Sequence, residues 1–168
     1  MKLAWLLMAA GAGWAQVNVP RPAPEFLIQE SGRTTKLSSY RGDVVLLAFV
    51  VTSCSHCQAA SKEFEKLQAE FGPRGFHAAE AAFDDNADVA AFARRFELTF
   101  PIGRVSPSGV RAFLGISGAN RISTPQVVLI DRLGMIRAQS APEGTPMLQS
   151  ADVLRGLIQS MIGRHSIL

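Results

Sequence analysis

The chain has 168 residues, 48% of them hydrophobic, with 17 Lys and Arg against 14 Asp and Glu for a formal charge of +3. That length and apolar content suit one domain with a sizeable core and are short for two. So small a basic surplus excludes a nucleic-acid or acidic-membrane footprint, and no nucleic-acid partner is expected.

Met1-Lys2 supplies a positive start, residues 3–11 an apolar core too short to cross a bilayer comfortably, and Gly13-Trp14-Ala15 a small-x-small cleavage site. The pattern predicts a secretory signal peptide over 1–15, cut before Gln16, and hence an exported, periplasmic or extracytoplasmic protein. An uncleaved anchor is the rival reading, which the short core and the small residues at 13 and 15 disfavour. A Pro-rich lead-in over 16–24 and one domain over 25–168 complete the chain. Pro20-Arg21-Pro22-Ala23-Pro24 reads as an extended linker, since each proline restricts the residue before it.

Residues 25–35 suggest a short strand and a turn. The run 44–51 is apolar on both faces, as a central parallel strand covered by helices on each side should be. Immediately after it stands Cys54-Ser55-His56-Cys57, which contains both cysteines of the sequence. The helix it opens carries Ala60, Phe64, Leu67 and Phe71 on one stripe, opposite Lys62, Glu63, Lys66 and Glu70, and Gly72-Pro73 stops it. Residues 76–83 form a second parallel strand, completing a βαβ unit with the cysteines at the carboxyl end of its first strand, where open sheets place reactive groups.

Asp84-Asp85-Asn86 supplies N-cap candidates for a helix with Val89, Phe92, Ala93 and Phe96 on one face, ended by Phe100-Pro101. Residues 102–123 carry no periodic signal beyond a helical hint at 110–114 and are read as loop plus one helical turn or two. Thr124-Pro125 then precedes a strand over 126–130, a turn at Asp131-Arg132-Leu133-Gly134 and a return strand over 135–139. Leu154, Leu157, Ile158 and Met161 mark a closing helix begun at Thr145-Pro146 or at Ser150.

The CxxC carries the chemistry. Two sulfurs at i and i+3 on a first helical turn can close a disulfide without backbone movement. A thiol at a helix N-terminus faces unsatisfied N–H groups and the positive dipole end, favouring thiolate by roughly 0.3 to 2 kcal/mol. Cys54 is therefore the expected nucleophile and Cys57, one turn further in, the resolving thiol. A zinc half-site or an inert buried pair is the structural alternative, without a second CxxC or a paired His motif to support it. His56, between the cysteines, would stabilise the Cys54 thiolate and make the couple more oxidising, or else be an idle exposed residue.

In this order the chain resembles the thioredoxin fold, an α/β fold with a central mixed sheet flanked by helices on both faces. It resembles more closely the exported TlpA/ResA-like branch, related to the AhpC/TSA family. The carriers are Ala23-Pro24-Glu25-Phe26, the segment 37–42, Cys54-Ser55-His56-Cys57, Phe100-Pro101 and the stretch from Ser123-Thr124-Pro125 to Gly134. The resemblance implies a cis bond at Pro125 beside the disulfide, with Thr124 pairing its backbone to the substrate chain. It implies a thiol-disulfide oxidoreductase without a cofactor or metal, most simply a monomeric reductase of protein disulfides such as those of apocytochrome c. A membrane or periplasmic thiol donor would supply its electrons.

Departures qualify this. Ser53 replaces the Trp common before the first cysteine, His56 replaces a frequent Pro, and Ala48 replaces the buried aspartate that thioredoxins use as proton acceptor. The branch places an acid after the next strand, which makes Asp84 the proton-transfer candidate, unless it only caps a helix. Between thioredoxin near −270 mV and the oxidant DsbA near −120 mV lie about 150 mV, roughly 7 kcal/mol for two electrons. A disulfide-forming oxidant or isomerase is thus an alternative direction. A peroxiredoxin-like peroxidase would need Pro and Thr where Leu47 and Val51 stand, a copper(I) chaperone usually spaces its cysteines more widely, and a redox-silent module would not need the CxxC.

Overall fold

The seven residues Val44–Val50 form a strand with every position buried, which requires strands on both edges and cover on both faces. The computed structural model describes residues 18–30, 32–117 and 121–163, so the expected signal segment lies outside the described residues. In chain order the elements are β1 (Arg21–Pro22), β2 (Leu27–Glu30), β3 (Arg33–Lys36), β4 (Val44–Val50), α1 (Ser55–Phe71), β5 (Phe76–Ala82) and α2 (Val89–Phe96). They continue as β6 (Ile102–Arg104), α3 (Pro107–Leu114), β7 (Gln126–Ile130), β8 (Met135–Gln139) and α4 (Ala151–Gly163). Short 3₁₀ turns lie at Leu37–Tyr40, Gly72–Arg74 and Pro146–Gln149.

Among the described residues the strands make one eight-stranded sheet in the order β1-β8-β7-β4-β5-β6-β2-β3. β4, β5 and β6 run parallel, while β7 is antiparallel to β4 and to β8. The strand period of two divides the core between the faces. Val44, Leu46, Ala48 and Val50 pack with Phe64 and Leu67 of α1, Phe92 of α2 and Leu154 and Ile158 of α4. Val45, Leu47 and Phe49 pack on the other face with Phe26, Ile28 and the α3 residues Val110 and Phe113. This is the thioredoxin fold expected from the sequence, with helices on both faces.

The structure differs from the sequence reading in three elements. The Pro-rich lead-in is no free linker: Arg21 and Pro22 pair with Ile136 and Met135, and the Arg21 guanidinium donates to the Phe113 carbonyl at 2.8 Å and to Gln139 Oε1 at 2.7 Å. An outermost strand tolerates a proline, because the missing N–H would face away from the ladder. The stretch 102–123 holds the two helical turns expected around 110–114, as α3, but also a strand where only loop was expected. β6 has three residues, too few to show periodicity, and Gly103 lets β2 come close, since a Cβ there would lie 2.5 Å from the Gln29 nitrogen. Finally, α2 is capped by Asp88, whose carboxylate accepts from the Ala91 N–H at 2.8 Å, and not by Asp84, Asp85 or Asn86.

Candidate active site

The carboxyl end of β4 turns directly into α1, and this corner fixes both thiols. Cys54 is the N-cap residue, with extended backbone, and its carbonyl accepts the Gln58 N–H at 3.0 Å. Its side chain is left half-exposed at the positive end of a 17-residue helix. Cys57, one turn inside, is fully buried against the sheet. Both cysteines are free thiols.

The loop between β4 and Cys54 is pinned from the neighbouring strand. Asp84, just beyond β5, accepts from the Thr52 N–H at 3.0 Å and from the Thr52 hydroxyl at 2.5 Å. Gln58 reaches back from α1 to donate to the Thr52 carbonyl at 2.9 Å. Asp84 thus stands next to the site through Thr52, which donates both of the hydrogen bonds described for its carboxylate.

Opposite lies the start of β7, brought there by its antiparallel register with β4, in which Gln126 faces Phe49. The Thr124-Pro125 peptide bond is cis, Pro125 is buried, and the Thr124 hydroxyl donates to Cys54 Sγ at 3.6 Å. Gln126, missed by sequence reasoning, braces this loop: its amide donates to the carbonyls of Ser123 at 2.8 Å and Ala141 at 3.0 Å. A glutamine opening an apolar strand is the only sequence signal it leaves.

These contacts separate the two thiols chemically. Partial burial would raise Cys54, but the Cys57 N–H, the Thr124 hydroxyl, the Cys57 thiol and the His56 N–H outweigh it and hold Cys54 below the ordinary thiol range. Burial pushes Cys57 up to about 12, against weaker help from the Val51 N–H, which lies 3.5 Å from its sulfur, and from Thr124. His56 is exposed, and its part in holding Cys54 comes from its main-chain N–H. His77 is occupied elsewhere, 2.9 Å from Asp43 Oδ2 and stacked on Tyr40, and His165 lies outside the described residues. Among the described residues no group of three or more His, Cys, Asp or Glu could hold a metal ion.

Sequence reasoning also passed over Glu80, in the middle of β5. It is 0% exposed, paired in register with Ala48, and neither carboxylate oxygen has a hydrogen-bond partner. A single carboxylate among the alanines of residues 78–82 was the available signal.

The model of the AhpC/TSA family matches residues 19–139. Thioredoxin-like protein YneN of Bacillus subtilis is 32% identical over 122 residues, covering 68% of this chain and 66% of that protein. Thiol-disulfide oxidoreductase ResA of Geobacillus thermodenitrificans is 30% identical over 123 residues, 72% of this chain and 68% of its own length. The matches thus span about two thirds of each relative. A crystal structure of a thiol:disulfide interchange protein of the thioredoxin family from Chlorobium tepidum has the same fold, with a TM-score of 0.71 and 20% identity over 87% of this chain and 99% of that one.

Proposed function

This chain belongs to the AhpC/TSA family, and from that premise we propose that it is a thiol-disulfide oxidoreductase of the TlpA/ResA-like type, working through the Cys54–Cys57 couple. The observation that carries this reading is the inequality of the two thiols: Cys54 is accessible and held low, while Cys57 is buried and pushed up to about 12. Only the first is built to attack from solution, and only the second is shielded until a mixed disulfide forms beside it.

The Cys54 thiolate attacks a client disulfide. Cys57 then attacks Cys54, releasing the client as a dithiol and leaving the protein oxidised. The hydroxyl of Thr124 steadies the thiolate, and the open backbone before cis-Pro125 pairs with the client chain. Asp84 holds the Thr52 loop in place, and any proton it exchanges with the site passes through the Thr52 hydroxyl. We place the protein outside the cytosol after loss of residues 1–15, as a monomer. A thiol donor of the membrane or periplasm would reduce it, and its clients would be protein disulfides, apocytochrome c CxxCH sites among them.

Trapping tests the assignment. Cys57→Ser should accumulate mixed disulfides with clients and Cys54→Ser should accumulate none, as read by non-reducing electrophoresis of the full chain. Equal trapping by both variants would remove Cys54 as the nucleophile.

A further inference from the structure

The strand β5 carries a carboxyl into the core on the face that α1 covers. Phe76, Ala78 and Ala82 belong to the cluster that holds Cys57, Ala60 and Phe64, so the strand period puts Glu80 on the same side. Its neighbours in register are Ala48 on β4 and Ile102 on β6. Arg104 of β6, in register with Ala82 on this face, is exposed at the strand end and donates to the Asp85 carbonyl at 2.5 Å. From α1 the groups turned inward are Cys57 and Ser61, both 0% exposed. The Ser61 hydroxyl donates to the Cys57 carbonyl at 2.9 Å. It also stands close enough to Glu80 to favour the carboxylate in part, yet burial dominates and pushes the carboxyl up to about 8.

A carboxyl buried without a hydrogen-bond partner is costly to the fold, and an apolar residue between Ala48 and Ile102 would avoid that cost. Its position answers a need of the site. With Cys57 pushed up to about 12, only roughly one molecule in 10⁵ would hold it as thiolate at pH 7 without help. A base that titrates near the working pH is the efficient acceptor for such a proton.

We propose that Glu80 is the internal proton acceptor for Cys57 in the resolving step, reached on the covered side of α1 by way of the Ser61 hydroxyl, a role that rests on the disulfide-exchange reading above. The Cys57 S–H proton passes to the Glu80 carboxylate as Cys57 attacks Cys54 Sγ. The Cys57–Cys54 bond forms, the Cys54–client bond breaks, and its electron pair leaves on the client sulfur, which takes a proton from solvent. The client disulfide is reduced and the dithiol oxidised. When a donor dithiol later reduces the protein, Glu80 returns the proton to Cys57.

The test mixes the reduced full-length chain rapidly with an aromatic disulfide reagent whose released thiolate is coloured. Cys54 releases the first thiolate and Cys57 the second. In the wild type the second phase should speed up as pH rises through about 8. Glu80→Gln should slow that phase on the order of 100-fold and shift its pH dependence upward towards the ionisation of Cys57 itself, with the first phase unchanged. Glu80→Asp should restore part of the rate. A second phase unchanged in rate and pH profile in Glu80→Gln overturns the proposal. A wild type that never releases the second thiolate overturns the disulfide-exchange reading, and this inference with it. If Glu80→Gln does not fold, infrared spectra of the wild type decide. A buried protonated-carboxyl band lost with an inflection near pH 8 supports the role, and one that never titrates overturns it.

Discussion

At Cys54 and Cys57 the same side chain has two chemistries because one helical turn separates a capped rim from a packed interior. Cys54 keeps its N–H and hydroxyl donors, whereas Cys57 meets the apolar face of the sheet. Glu80 is the residue whose effect on the whole fold is most easily read. An unfolded carboxyl has a model value of 4.5, and burial raises the folded one to about 8. Between those values the native state keeps a proton that the unfolded chain has released. The Glu80 contribution to stability is therefore full below about 4.5, falls as pH rises, and levels off above about 8. Glu80→Gln should flatten that slope, gaining on the order of 5 kcal/mol over the wild type at alkaline pH and nothing in acid. Urea unfolding at a series of pH values checks it, and parallel wild-type and variant curves would rule it out.

The helix α1 joins site and core, since its N-terminus holds the thiols and its buried stripe holds the helix to the sheet. Phe64 and Leu67 are each 1% exposed and Phe71 is 0% exposed. Phe64→Ala should cost about 3–5 kcal/mol, from lost transfer energy plus the cavity left behind. Its urea midpoint should drop with the slope unchanged. The same variant should leave Cys54 alkylation little altered in the folded protein, because the rim is set by Thr52, Gln58 and Thr124 and not by the stripe. The connecting loops work as elements too: Asp84 ties the end of β5 to the β4–α1 corner, and Gln126 braces the cis-proline loop from within β7.

For the molecule as a whole, the sheet order brings two segments 70 residues apart, at Cys54 and Thr124, into one contact. The site's protons then shape its redox behaviour. Reduction takes up two electrons, and two protons while Cys54 is a thiol, but one once Cys54 is a thiolate. The reduction potential should fall by about 59 mV per pH unit below the Cys54 pKa and by about 30 mV above it. The break should come below the ordinary thiol value of 9.0. Equilibration of the full chain with a dithiol buffer, quantified by alkylation, gives both the break and the absolute potential. A value near −270 mV favours the reductase and one near −120 mV the oxidant.

By itself the sequence determined the features that local pattern encodes: the buried run of β4, the amphipathic stripe of α1, the CxxC at a helix start and the β7–β8 hairpin. In each of these, neighbours along the chain carry the physical signal. Tertiary structure decided the features that depend on contacts between distant segments. The short β6 exists because β5 and β2 pair with it, β1 exists because β8 does, and Asp84 turns to Thr52 because the parallel register places them together. The acid absent at position 48 has a buried counterpart on the adjacent strand, at Glu80. Whether a lone glutamate in an apolar strand faces water or core depends on which side another helix covers, and no local pattern contains that.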